Sequence, residues 1–111
     1  MPVAEAVSRL QGVLGATVVA YLGEVRDTRT VAQWAAGDRD PSDAVTSRLR
    51  MAYQAAALLG ERDSSGVVQA WFEGMNPELD DVAPARVLRE QPLEQAGPAV
   101  IAAARAFAAQ G

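Results

Sequence analysis

The 111-residue sequence contains no cysteine and no histidine, and its ten basic residues are all arginine. Without cysteine there is no disulfide framework and no thiolate metal site. Without histidine as well, Ser–His and Cys–His nucleophile pairs and His/Cys metal sites are excluded. No stretch reaches the roughly 18 apolar residues of a membrane-spanning helix. Residues 1–10 lack the basic segment and apolar run of a secretory leader. There is no strand-like alternation, no Asn-Gly hairpin turn, no internal repeat and no glycine-rich phosphate loop. Aromatic residues are only 5% of the chain. These absences point to an all-α cytoplasmic protein of one domain, or a domain and a half, with no metal, cofactor or membrane partner.

Half of the residues are hydrophobic, enough for a core, and the net charge is -4. A dedicated nucleic-acid binder usually carries a basic excess, because phosphate neutralisation supplies much of its affinity. Residues 26–50 hold five arginines (Arg26, Arg29, Arg39, Arg48, Arg50) against four aspartates (Asp27, Asp38, Asp40, Asp43), a balance of +1. Two carboxylate pairs, Asp38/Asp40 and Asp80/Asp81, lie in stretches of turn character, where aspartate serves local backbone hydrogen bonds. Acid/base catalysis is not expected of them, and the chain is read as a non-enzyme.

Helical periodicity organises the whole sequence. Val3, Val7, Leu10 and Leu14 form one apolar stripe after Pro2, and Gly15 breaks it. Residues 16–23 give a second short helix, with Thr17 as a candidate N-cap. A turn at 24–27 leads to a helix over 28–36, capped by Asp27 or Thr28, with Val31, Trp34 and Ala35 inward and Gly37 closing it. Two short helices joined by a tight turn have the form of a helix-turn-helix. Thr28, Arg29, Thr30, Gln33 and Arg39 lie off its apolar stripe. They are either phosphate and base contacts or a solvated face.

The next helix is expected to be capped by Asp40, with Pro41 in its first turn. Its stripe is Val45, Leu49, Ala52, Ala56 and Leu59, and Gly60 ends it. Ser64 or Ser65 then caps a short apolar helix with Val67, Val68, Trp71 and Phe72. Adjacent aromatics cannot share one direction on a helix, so one is expected in the core and the other toward a partner. Residues 74–81 read as a loop. Pro84 starts a short helix with Val87 and Leu88. Gly97-Pro98 is read as the break that starts a last helix, whose face of Val100, Ile101, Ala104, Phe107 and Ala108 is too broad for one stripe. That breadth suggests that residues 98–110 dock on a partner protein or a second copy.

The order of these features resembles the Xre/MbcA/ParS antitoxins, which pair with RES-domain toxins. The front half carries Val31, Trp34, Gly37, Pro41, Leu49, Arg50 and Tyr53 at the corresponding points. In the back half, Trp71 is followed by Asn76-Pro77, Leu79, Pro84 and Val87-Leu88. About residues 14 to 109 take part. The resemblance implies an all-α fold, with an Xre-like helix-turn-helix half at 1–60 and a small helical toxin-binding half at 61–111. It implies an antitoxin that blocks the active-site cleft of a NAD-degrading RES toxin. On that reading Trp71, Phe72, Asn76, Pro77 and Leu79 bind the toxin, together with Val87, Leu88, Ile101, Arg105 and Phe107. Operator DNA, bound as a complex, and a homo-oligomer are the further expected partners. The alternative is a free-standing helix-turn-helix regulator that reads DNA with residues 28–36.

Overall fold

The computed structural model describes residues 1–110. Among these the chain forms seven α-helices, α1 (Val3–Leu14), α2 (Ala16–Leu22), α3 (Thr28–Ala36), α4 (Asp43–Gly60), α5 (Ser65–Glu73), α6 (Pro84–Glu90) and α7 (Leu93–Ala109). A 3-10 turn at Pro77–Leu79 links α5 to α6, and no strand is present among the described residues. The all-α class read from the sequence is the one observed.

Local chemistry sets most boundaries. Gly15 takes φ +85° and serves both as the end of α1 and as the start of α2, so no loop separates them. The helix-entry position expected at Thr17 is therefore two residues earlier, at Gly15, with no side-chain cap. Asp27 caps α3 by accepting the Arg29 N–H at Oδ1, 2.8 Å. Gly37 closes α3 in the left-handed region at φ +79°, a conformation costly to any residue with a Cβ. The cap of α4 is Ser42, whose Oγ accepts from Val45 N–H at 3.2 Å, rather than Asp40. Pro41 is buried ahead of the helix instead of sitting in its first turn.

The last helix departs from the sequence reading. It begins at Leu93, after Pro92, and runs through Gly97 and Pro98 without a break. Gly97 is buried against α4, where an added Cβ would stand 2.8 Å from Met51 Cε. It is a close-packing glycine, not a helix terminator. Pro98 is the sixth residue of α7, inside the helix, and removes the backbone bond to the Glu94 carbonyl. The Val100, Ile101, Ala103 and Ala104 side chains are buried within the chain itself, with α7 packed on α4 and α6. The chain itself thus covers this face as far as Ala104. Only the last turn, with Phe107 and Ala108 half-buried, is left partly open.

Residues from both expected halves share one core. α1 packs on α3, α4 and α5, α2 packs on α6, and α4 on α7. The fully buried large side chains include Leu10, Leu14, Leu22 and Leu49 from the front, with Phe72, Leu88 and Val100 from the back. Two arginines fasten the C-terminal end of α2, where helix carbonyls lack intrahelical partners. Arg48 of α4 donates to the Leu22 carbonyl (2.8 Å) and to Glu24 (3.1 Å). Arg89 of α6 donates to the Tyr21 carbonyl (3.1 Å), and its guanidinium lies 4.4 Å from the centre of the Tyr21 ring.

Candidate functional site

The Trp-to-Pro stretch of the back half folds into a tight loop built on Asn76. Ser64 caps α5, and the helix ends at Gly74, two residues before Asn76-Pro77, as the restriction on a residue preceding proline requires. Asn76 is the one buried polar side chain among the described residues. Its Oδ1 accepts from Glu78 N–H at 2.9 Å, and its carbonyl accepts from the N–H groups of Leu79 and Asp81, each at 2.9 Å. Asn76 also bridges to Val82. Leu79 plugs into the core from this loop. Asp80 and Asp81 both take left-handed backbone, at φ +57° and +62°, a geometry that aspartate tolerates better than most residues. The Asn-Pro pair therefore makes a braced turn that closes on itself within seven residues.

This arrangement sorts the candidate partner-binding residues into two groups. Phe72, Val87 and Leu88 are fully or nearly fully buried, and Trp71, Asn76, Leu79 and Ile101 are also buried. The expectation that one of Trp71 and Phe72 faces outward is not met: the two rings meet edge to face within the core, 5.1 Å between centres. Those seven residues shape the surface from beneath. Pro77 and Arg105 are exposed, and Phe107 is half-buried with its ring 6.5 Å from that of Trp71. Sequence periodicity missed Met75, which is 80% exposed between Gly74 and Asn76. Its only signal was a large apolar residue in a loop outside every stripe.

Two clefts flank α5. One, of about 340 Å³, lies between α2, α5 and α6 and is lined by Val18, Tyr21, Phe72, Glu73, Ala85 and Arg86 among others. The second, of about 260 Å³, runs between the 75–78 loop and the end of α7, with Trp71, Met75, Pro77, Glu78 and Phe107 on its walls. The Trp71 indole N–H is buried and has no hydrogen-bond acceptor. An unmet buried donor costs on the order of 1–3 kcal/mol.

On the front half, Thr28, Arg29, Gln33 and Arg39 are exposed and Thr30 is half-buried; Arg39 lies beyond the end of α3. Arg29 is not free there. Its Nε donates to both Asp27 oxygens (3.1 and 2.8 Å), and its second nitrogen lies 2.6 Å from Oδ2. The guanidinium and the Arg29 backbone N–H hold the Asp27 carboxyl below its ordinary range. Arg29 thus directs two of its three guanidinium nitrogens to the cap of its own helix. Among the described residues no group of three acidic side chains gathers to hold a metal ion, and no helix is long and apolar enough to cross a membrane.

No family model matches the chain, and no curated protein sequence does. A solved structure does: one chain in the crystal structure of the M. tuberculosis MbcT-MbcA toxin-antitoxin complex has a TM-score of 0.70 and 25% sequence identity. The match covers 93% of this chain and 94% of that one.

Proposed function

We propose that the chain is the antitoxin of a toxin–antitoxin pair, a protein that acts by binding rather than by catalysis. The observation that carries this reading is the likeness, over nearly the full length of both chains, to the antitoxin side of the MbcT-MbcA complex. The toxin is a RES-domain enzyme that degrades NAD, and residues 61–111 obstruct its active-site cleft. Contact falls on the exposed side chains of that half, Met75, Pro77, Arg105 and the open edge of Phe107. Buried Trp71, Phe72, Asn76, Leu79, Val87, Leu88 and Ile101 hold that surface in shape. Support for a binding role comes from the braced Asn76 loop, since a preformed surface loses less conformational freedom on association.

The helix-turn-helix half supplies scaffold. Autorepression belongs to the toxin-bound assembly, in which several copies are joined, because the free chain has a net charge of -4 and a neutralised Arg29. The experiment is genetic. Inducing the RES-type reading frame beside this gene should arrest growth and drain NAD, and co-expression of this chain should restore both. Growth arrest that persists with both proteins present in equal amount would refute the reading.

A further inference from the structure

The groove between the 75–78 loop and α7 combines three features that belong to one kind of ligand. Its walls are apolar, with Phe107 half-buried and Met75 almost wholly exposed. At its rim stands Glu78, which has no cationic partner among the described residues. At its base is Trp71, 8% exposed, whose indole N–H has nothing to donate to. An apolar wall suits an aliphatic stem, a carboxylate suits a cation, and an orphan N–H suits a carbonyl oxygen.

We infer that this groove takes an arginine side chain of the protein partner, with its guanidinium on Glu78, its stem along Phe107 and Met75, and a neighbouring backbone carbonyl on the Trp71 N–H. Arginine fits better than lysine because its planar head both forks onto a carboxylate and stacks on an aromatic face. The volume of about 260 Å³ leaves room for such a side chain and part of its backbone. The Trp71 N–H is closed off in the free chain, so an acceptor reaches it only after a side chain of the groove wall turns aside. The inference rests on the reading of the chain as a toxin-binding protein and names the chemistry of the toxin surface it meets. Neither Met75 nor Glu78 was visible as a contact residue from sequence periodicity.

The test has two arms that fail separately. The chain has two tryptophans and therefore two indole N–H resonances in a ¹⁵N–¹H spectrum. Titration with argininamide should move the Trp71 resonance, while the isosteric but uncharged citrulline amide should not, and Glu78→Lys should abolish the response. An equal or larger response to citrulline amide or to lysinamide, or none to argininamide, overturns the inference whatever the partner is. In the second arm the full chain is titrated with the protein of the adjacent RES-type frame. Glu78→Lys should weaken that binding by roughly tenfold or more, as reversal of a close charge pair does. Glu94→Lys, the same charge change about 14 Å along α7 from Ala103 of the groove wall, should not. Equal effects of the two substitutions also overturn the inference. Failure of the unaltered chain to bind the toxin removes the antitoxin reading instead and leaves the resonance titration to decide the groove.

Discussion

Gly23 lies flat against the indole of Trp34: a Cβ added to Gly23 would stand 2.6 Å from Cζ3 and 2.8 Å from Cη2 of that ring. Gly23 has ordinary helical backbone, φ -82° and ψ -2°, so the constraint is space and not conformation. The contact sets the angle between α2 and α3, because the indole fills the notch where α2 stops. Gly23→Ala should therefore destabilise the chain by about 1–3 kcal/mol, the usual cost of overpacking a core. Urea denaturation followed by circular dichroism checks this, and an unchanged midpoint would contradict it.

Gly97 offers the opposite case. An added Cβ would meet Met51 Cε at 2.8 Å, but that atom is the free end of a flexible side chain. Alanine is also the better helix former by about 1 kcal/mol. Gly97→Ala should come out within about 1 kcal/mol of neutral, well below the loss at Gly23. The same denaturation series ranks the two, and a larger loss at Gly97 would reverse the packing argument.

Arg48 and Arg89 reach the end of α2 from different helices, one from each half of the chain. Each supplies a charged donor to a carbonyl in the last turn of α2; that of Tyr21 also accepts from Glu24 N–H at 3.2 Å. Arg48→Ala and Arg89→Ala should each cost about 1–2 kcal/mol. Because the two side chains fasten adjacent residues of one helix end, Leu22 and Tyr21, the double variant should depart from additivity. A thermodynamic cycle over the four proteins measures that coupling, and strict additivity would show the two anchors to be independent.

Asp27 is a pH sensor of local kind. Its folded-state pKa is lowered from 3.8, first by the Arg29 side-chain hydrogen bond and then by the Arg29 backbone N–H. The sign follows from linkage: the carboxylate form favours the folded helix, so its contribution is present above 3.8 and is lost as pH falls through the lower folded value. Both side chains are solvent-accessible, so salt should weaken the pair. Carboxyl ¹³C titration should find Asp27 below the ordinary range, and Arg29→Ala should move it up. A titration at or above 3.8 in the unaltered chain would contradict the pairing.

Much of this fold was legible because most helices follow simple periodicity. The limits of α3 came from Asp27 and Gly37, and the stripe of α4 from Val45 through Leu59, both set by local rules. What failed was decided by tertiary contact. Gly97-Pro98 has the local form of a break, yet Gly97 is there to let α7 approach Met51, and nothing near in sequence reveals that. The broad apolar face of α7 suggested an absent partner, whereas the chain covers it by packing α7 on both α4 and α6. At the candidate site, the Trp71, Asn76-Pro77 and Leu79 pattern marked a braced loop, in which Trp71, Asn76 and Leu79 are buried and Pro77 is exposed. A spacing pattern marks the residues that hold a loop together, so exposed Met75 and Glu78 carried no signal of that kind.

The most direct test of the central proposal is NAD consumption by the proposed RES-type toxin in purified form, measured as this chain is added up to one equivalent. Activity should fall linearly to near zero at the stoichiometry of the complex. NAD loss that continues at the uninhibited rate, with complex formation demonstrated in the same sample, would show that the chain binds without neutralising.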